Sequence, residues 1–230
     1  MSPPDRAQAP GIADAASAIA AEIRRRLRDR QSGLPMLVAF DGGSGSGKST
    51  LVAAVATELD AAVVEGDDFF AAGITDAEWD ALDPSERASA AIDWRRLREE
   101  ALEPLLAGRA ASWHPFDFEA GTRLDGTYPM AVETVTREPT AVVLLDGAYS
   151  SRPELADLIE LAILVDVPVI ERHRRIAARE ERSFADAWHA RWDAAEDDFF
   201  TRVRPPSSFD VVVTPVETAA NGGIVRVVGR

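Results

Sequence analysis

The chain has 230 residues, 46% of them hydrophobic, with 25 Lys and Arg against 39 Asp and Glu and a formal charge of −14. That length suits one α/β domain with a substantial core, while the acidic balance excludes broad binding of nucleic acid or anionic lipid and confines any phosphate to a local basic pocket. Cysteine is absent, which excludes disulfides, thiolate metal sites and a cysteine nucleophile.

Residues 1–12 are rich in Pro, Ala and Gly without apolar period and read as a disordered lead-in to a single domain over 13–230. Across 13–30, Ala16, Ile19, Ala20, Ile23 and Leu27 recur at helical spacing and end in an arginine-rich run that suits a solvated helix C-terminus or, less economically, a docking patch. Short apolar runs at 35–41, 61–65, 140–146, 161–167 and 209–214, with a weaker one at 224–228, fit buried strands. Helical patterns at 48–59, 93–107, 170–181 and 184–200 separate most of them. This alternation predicts a mostly parallel sheet covered on both faces. Prolines and glycines between 112 and 135 break the rhythm and place an insertion at about 109–137. No basic start followed by an apolar run opens the chain, and no stretch reaches ~18 apolar residues; a soluble, cytoplasmic protein with no membrane partner is expected, and homo-oligomerisation stays open.

Gly42-Gly43-Ser44-Gly45-Ser46-Gly47-Lys48-Ser49-Thr50 satisfies G-x-x-x-x-G-K-[ST] between a predicted strand and a predicted helix. Glycines let backbone N–H groups turn inward around phosphates, and the following helix points its positive end at them. Lys48 is expected at the β- and γ-phosphates of ATP and Ser49 at Mg²⁺. A glycine turn that binds nothing would not need Lys and Ser after the last glycine. The guanine-reading N-K-x-D motif does not occur.

Asp67 and Asp68 follow the second strand, where parallel sheets hold ligands. A carboxylate there can accept the proton of an attacking hydroxyl, and either residue can instead serve as a helix cap. Asp146 ends another apolar strand in the manner of an acid that holds Mg²⁺. Residues 171–182 concentrate five arginines, suited to closing over phosphate or to pairing with neighbouring glutamates, with Arg175 and Arg179 on one face. His114, His173 and His189 show no metal-ligand spacing, and only His114, among aromatic neighbours, stays a candidate. The Asp197-Asp198-Phe199-Phe200 segment reads as a solvated face flanking core aromatics.

Taken in order, these motifs resemble the uridine kinase-like branch of P-loop kinases, which includes uridine, nicotinamide riboside and pantothenate kinases and phosphoribulokinase. The resemblance covers about residues 35–214 and rests on residues 41–50, on Asp67-Asp68-Phe69-Phe70, on Asp93-Trp94 with residues 102–108, on Leu145-Asp146-Gly147 with residues 152–155, and on the arginine helix. It implies a three-layer α/β/α P-loop fold with a lid helix and a substrate-side insertion, with Asp67 as base, Asp146 at Mg²⁺ and lid arginines Arg175 and Arg179 in catalysis. It also implies an acceptor pocket involving Asp68, Phe69, Asp93, His114 and Asp117. Nucleoside kinases of that branch carry an Asp in an Asp-His-Pro-like segment before the equivalent of Asp93, whereas residues 86–93 here read Glu-Arg-Ala-Ser-Ala-Ala-Ile-Asp. The expected activity is ATP- and Mg²⁺-dependent phosphorylation of a small-molecule hydroxyl, a nucleoside first. A vitamin, sugar acid or antibiotic is the alternative acceptor, and a regulatory nucleotide-binding module the alternative class.

Overall fold

The computed structural model describes residues 10–179, 182–216 and 224–229. The first helix, α1 (Pro10–Asp29), begins inside the segment expected to be a lead-in and buries Ala16, Ile19, Ala20 and Ile23. Its basic end is tied into the domain rather than left in solvent: Arg26 donates to Glu160 O at 2.7 Å, and Arg30 pairs with Glu160 at 2.9 Å.

The described strands are β1 (Met36–Asp41), β2 (Ala62–Glu65), β3 (Ala111–Trp113), β4 (Val135–Arg137), β5 (Val142–Asp146), β6 (Ile159–Val165), β7 (Val211–Val216) and β8 (Ile224–Gly229). Six of them form one sheet in the order β2-β5-β1-β6-β7-β8, parallel except that β8 runs antiparallel to β7. Successive side chains on a strand point to opposite faces, so Met36, Val38 and Phe40 join one core with α1 and α2 (Lys48–Leu59). Leu37, Val143 and Leu145 join the other, beneath α3 (Asp76–Ala81), α4 (Pro84–Ala90), α5 (Trp94–Arg96) and α6 (Glu103–Leu106). The result is a three-layer α/β/α fold with a mostly parallel sheet. A π-helical segment, Leu97–Leu102, joins α5 to α6.

α7 (Val169–Arg179) and α8 (Arg182–Asp198) follow β6 and lie against the phosphate-loop end of the sheet. β3 and β4 form a separate antiparallel pair, Ala111 opposite Arg137 and Trp113 opposite Val135. Register brings the strand-end acids together: Glu65 and Phe40 both lie opposite Asp146 on β5, and Asp41 follows Phe40. No described helix is long and apolar enough to cross a membrane.

Candidate active site

The loop after β1 has the backbone its glycines permit. Gly42, Gly45 and Gly47 have φ of 148°, 78° and 88°. A Cβ on Gly42 would lie 2.6 Å from Val165 O, and one on Gly45 would lie 2.7 Å from Arg172 O. Both clashes are with backbone, so neither neighbour can step aside cheaply. Asp41 anchors the loop from below: its buried carboxylate accepts from Gly42 N at 2.8 Å, Tyr149 N at 2.9 Å, Ser151 N at 2.9 Å and Ser151 Oγ at 2.5 Å. Burial pushes the Asp41 pKa up, against the Ser151 and Gly42 hydrogen bonds and the Lys48 charge. The same bonds hold Tyr149 in a left-handed backbone, φ 65°.

Asp146, expected at Mg²⁺, has an oxygen free for a ligand. It is 8% exposed and its Oδ1 is buried without a hydrogen-bond partner; the Ser46 hydroxyl of the loop is also buried and unpartnered. Burial raises the Asp146 pKa, and the Lys48 charge and a Ser49 hydrogen bond oppose that rise. A carboxylate and a hydroxyl in contact beside a lysine, with one oxygen left over, match the donor set that Mg²⁺ takes in phosphate-loop proteins. Gly66 and Gly147 pack backbone to backbone, a Cβ on Gly66 meeting Asp146 O at 3.2 Å. That close approach sets Asp67 beside the strand end.

The arginine helix α7 reaches the loop through two side chains. Arg175 Nη1 donates to Ser46 O at 2.8 Å while its Nε is held by Glu171 at 2.8 Å. Arg172, left out of the expected catalytic set, donates to Ser44 O at 3.1 Å and to Glu196 Oε2 at 2.5 Å. Arg174 and Arg175 hold the Glu171 pKa down at about 2, and Arg174 itself is an exposed Glu171 partner. The Arg179 side chain lies outside the described residues. Glu196 of α8 completes the closure: Ser44 N–H donates to its Oε1 at 2.8 Å.

A cavity of 70 Å³ opens where the loop meets this closure, with Ser44, Lys48, Asp67, Tyr149 and Glu196 on its polar side and Phe70, Phe118 and Trp192 on its aromatic side. The Tyr149 hydroxyl is buried and unpartnered. Of the residues expected at the acceptor, only Asp67 lines this cavity. Asp68 is turned away: its Oδ2 accepts the Trp113 indole N–H at 2.7 Å, and its carbonyl accepts from Arg96 and from Phe116 N. Burial raises the Asp68 pKa and the Trp113 bond opposes it. Phe69 is fully buried against Trp113 with Arg96 above its ring. Asp117 accepts from Glu119 N and Ala120 N in its own turn, and His114 is exposed beside Ala131 O. None of these four lines the cavity; their observed contacts are with the insertion and its neighbours. Asp93 caps α5 through Arg96 N at 3.1 Å and lines a neighbouring 470 Å³ groove with Trp94, Arg95 and Arg96. Phe70 and Ile92 border both spaces.

Two readings change where α7 and α8 pack together. Glu196 and Asp198 are 2% and 9% exposed, so this stretch is not a solvated face; Asp198 pairs with Arg202, and Asp197 alone of the acids is exposed. His173 and His189, which show no ligand spacing in sequence, come together with Asp193 because α7 packs on α8. Sequence reasoning also missed Glu196, Trp192 and Tyr149. Trp192 and Glu196 share a helix face at i, i+4, a signal too common to single them out before the partner loop is known.

The AAA domain family matches residues 37–201. Uridine kinase of Borrelia duttonii is 23% identical over 184 residues, 78% of this chain and 85% of the relative. A possible uridine kinase structure from Bacillus stearothermophilus aligns with a TM-score of 0.61 at 19% identity, over 86% of this chain and 97% of the other. D-glycerate 3-kinase of Cryptococcus neoformans aligns with a TM-score of 0.61 at 12% identity, over 94% and 100%. At such identities the structures share the fold, and the substrates in their names remain theirs. Since the family match takes in the phosphate loop, Asp146 and the arginine helix, the protein belongs to the AAA domain family, and its sequence is similar to curated uridine kinases.

Proposed function

We propose that the protein transfers the γ-phosphoryl group of ATP to a hydroxyl of a small molecule, with a nucleoside as the first candidate acceptor. The observation that carries this reading is that Lys48 of the phosphate loop and Asp67 line one cavity. A nucleotide-holding switch has no use for a carboxylate on the acceptor side, whereas phosphoryl transfer needs one there.

The phosphate-loop N–H groups and Lys48 hold the phosphates, and Arg172 and Arg175 bring positive charge over them from the lid. Asp67 accepts the proton of the acceptor hydroxyl as its oxygen bonds to the γ-phosphorus and the bond to the β-phosphate oxygen breaks, leaving ADP. A positioned base of this kind contributes roughly 10²–10⁴ in rate. Ser49 and Asp146 would hold Mg²⁺, which supplies charge neutralisation at the β- and γ-phosphates. Phe70, Phe118 and Trp192 give flat apolar walls suited to a ring.

The cavity size supports a second reading. Ligand pockets usually run to about 300–1,000 Å³, so 70 Å³ admits only a compact group unless the aromatic wall moves. A compact sugar acid fits with less movement than a nucleoside, which would need Phe70 to swing toward the Asp93 groove. Purified protein with MgATP is tested against nucleosides, vitamins and sugar acids by ADP release. Acceleration by a nucleoside supports the first reading, and acceleration by a sugar acid alone supports the second. Indifference to every acceptor while ATP still binds favours the switch.

A further inference from the structure

We propose that His173, His189 and Asp193 form a binding site for a divalent transition-metal ion that fastens the lid helix α7 to α8. His173 projects from α7, and His189 and Asp193 lie one turn apart on α8. Their ligand atoms all lie within 4.8 Å of one another. His173 Nε2 is 2.8 Å from Asp193 Oδ2 and His189 Nδ1 is 3.3 Å from Asp193 Oδ1. Ligands at the usual 2.0–2.1 Å from a tetrahedral ion stand about 3.3 Å apart, so little side-chain movement completes the set.

An ordinary hydrogen bond to the carboxylate accounts for His189, at 3.3 Å from Asp193 Oδ1, but not for His173. His173 Nε2 is shielded from solvent and makes no hydrogen bond despite its 2.8 Å approach to the carboxylate. The two imidazoles stack at 3.6 Å between centroids and both turn toward the one carboxylate. A buried nitrogen left without a donor or acceptor is destabilising, and a cation at the common focus satisfies it together with the carboxylate charge. Two imidazoles and one carboxylate select zinc, cobalt or nickel over magnesium, which prefers oxygen. Three protein ligands leave a position for water.

The location gives the ion a role. Arg172, which holds Glu196 and the loop carbonyl of Ser44, precedes His173, and Glu196 lies three residues beyond Asp193. A bound ion therefore fixes the helix pair in the register that sets both side chains on the phosphate loop.

Chelator-stripped protein, freed of chelator and kept without nucleotide in excess Mg²⁺, is titrated with CoCl₂ and followed by visible absorption, then competed with ZnCl₂. One Co²⁺ per chain is expected. Affinity should fall by at least about 10–100-fold, the loss seen for even an outer-shell partner, in His173→Ala, His189→Ala and Asp193→Asn. His189→Gln, which retains most of the packing, should match His189→Ala, with circular dichroism confirming the fold of each variant. Asp146→Asn should bind Co²⁺ as the parent does. The proposal is overturned if the parent shows no saturable Co²⁺ binding, if the histidine variants bind equally well, or if Asp146→Asn is the substitution that abolishes binding. None of these results depends on ATP turnover.

Discussion

Glu196→Gln should tighten ATP binding while lowering the stability of the free protein. Glu196 accepts from Ser44 N–H at 2.8 Å and from Arg172 Nη1 at 2.5 Å, so its carboxylate competes with phosphate oxygens for one loop donor and one lid cation. A hydrogen bond to a charged group contributes about 1.5–3 kcal/mol against about 0.5–1.5 for a neutral one. Gln has one acceptor oxygen where Glu196 uses two, so it keeps only one of these bonds, weaker by about 1–1.5 kcal/mol for the loss of charge. If ATP displaces the Ser44 contact, the ATP dissociation constant should fall roughly tenfold, since 1.4 kcal/mol is a factor of ten. The free protein loses the charge pairing at a residue only 2% exposed. With about 2–4 °C per kcal/mol for a chain of this size, its melting temperature should drop by several degrees. Calorimetric titration with MgATP and a thermal melt without it measure the two effects. An unchanged or weaker ATP affinity in a folded variant would refute the competition and move Ser44 N–H out of the phosphate cradle.

Gly45→Ala should abolish the thermal shift given by MgATP, because φ 78° and a 2.7 Å approach to Arg172 O leave no room for a Cβ; an unaltered shift would mean that the loop does not bind phosphate in this conformation. Arg175→Ala removes the contact with Ser46 O and should lower turnover more than ATP affinity, since lid charges act once the site has closed; equal kinetic constants in parent and variant return α7 to a charge-paired surface helix. Glu22 has its pKa held down at about 2 by Arg25 and Arg26. A depressed carboxylate pKa contributes stability above its unfolded value, lost as pH falls toward the folded one. Urea unfolding should therefore show Glu22→Gln less stable than the parent at pH 6, with the gap closing between about pH 4.5 and about pH 2. A gap that stays constant with pH contradicts the ion-pair account.

Much of the frame was legible because period and punctuation are local. The buried strands and the helix at Lys48–Leu59 follow from apolar runs and from the glycine loop before them. Helices α3 and α4 were also within reach: Thr75 with Glu78, and Asp83 with Glu86, form capping boxes that a scan for helix starts would find. Side-chain direction was not legible. Asp67 and Asp68 are chemically identical neighbours, and only the Trp113 indole, forty-five residues on, shows which is occupied. The same holds for Glu196, whose role depends on α8 packing over a loop 152 residues earlier, and for His173 and His189, which periodicity on separate helices cannot bring together.

The proposed role of Asp67 is to serve a hydroxyl acceptor beside a working phosphate loop. The direct measurement follows γ-labelled phosphate from ATP onto an added acceptor, with the parent protein and Asp67→Asn compared at equal ATP occupancy. Label is expected on the acceptor with the parent, and a rate lower by roughly 10² or more with Asp67→Asn at nearly unchanged ATP affinity. Label transferred equally well by both proteins would contradict it.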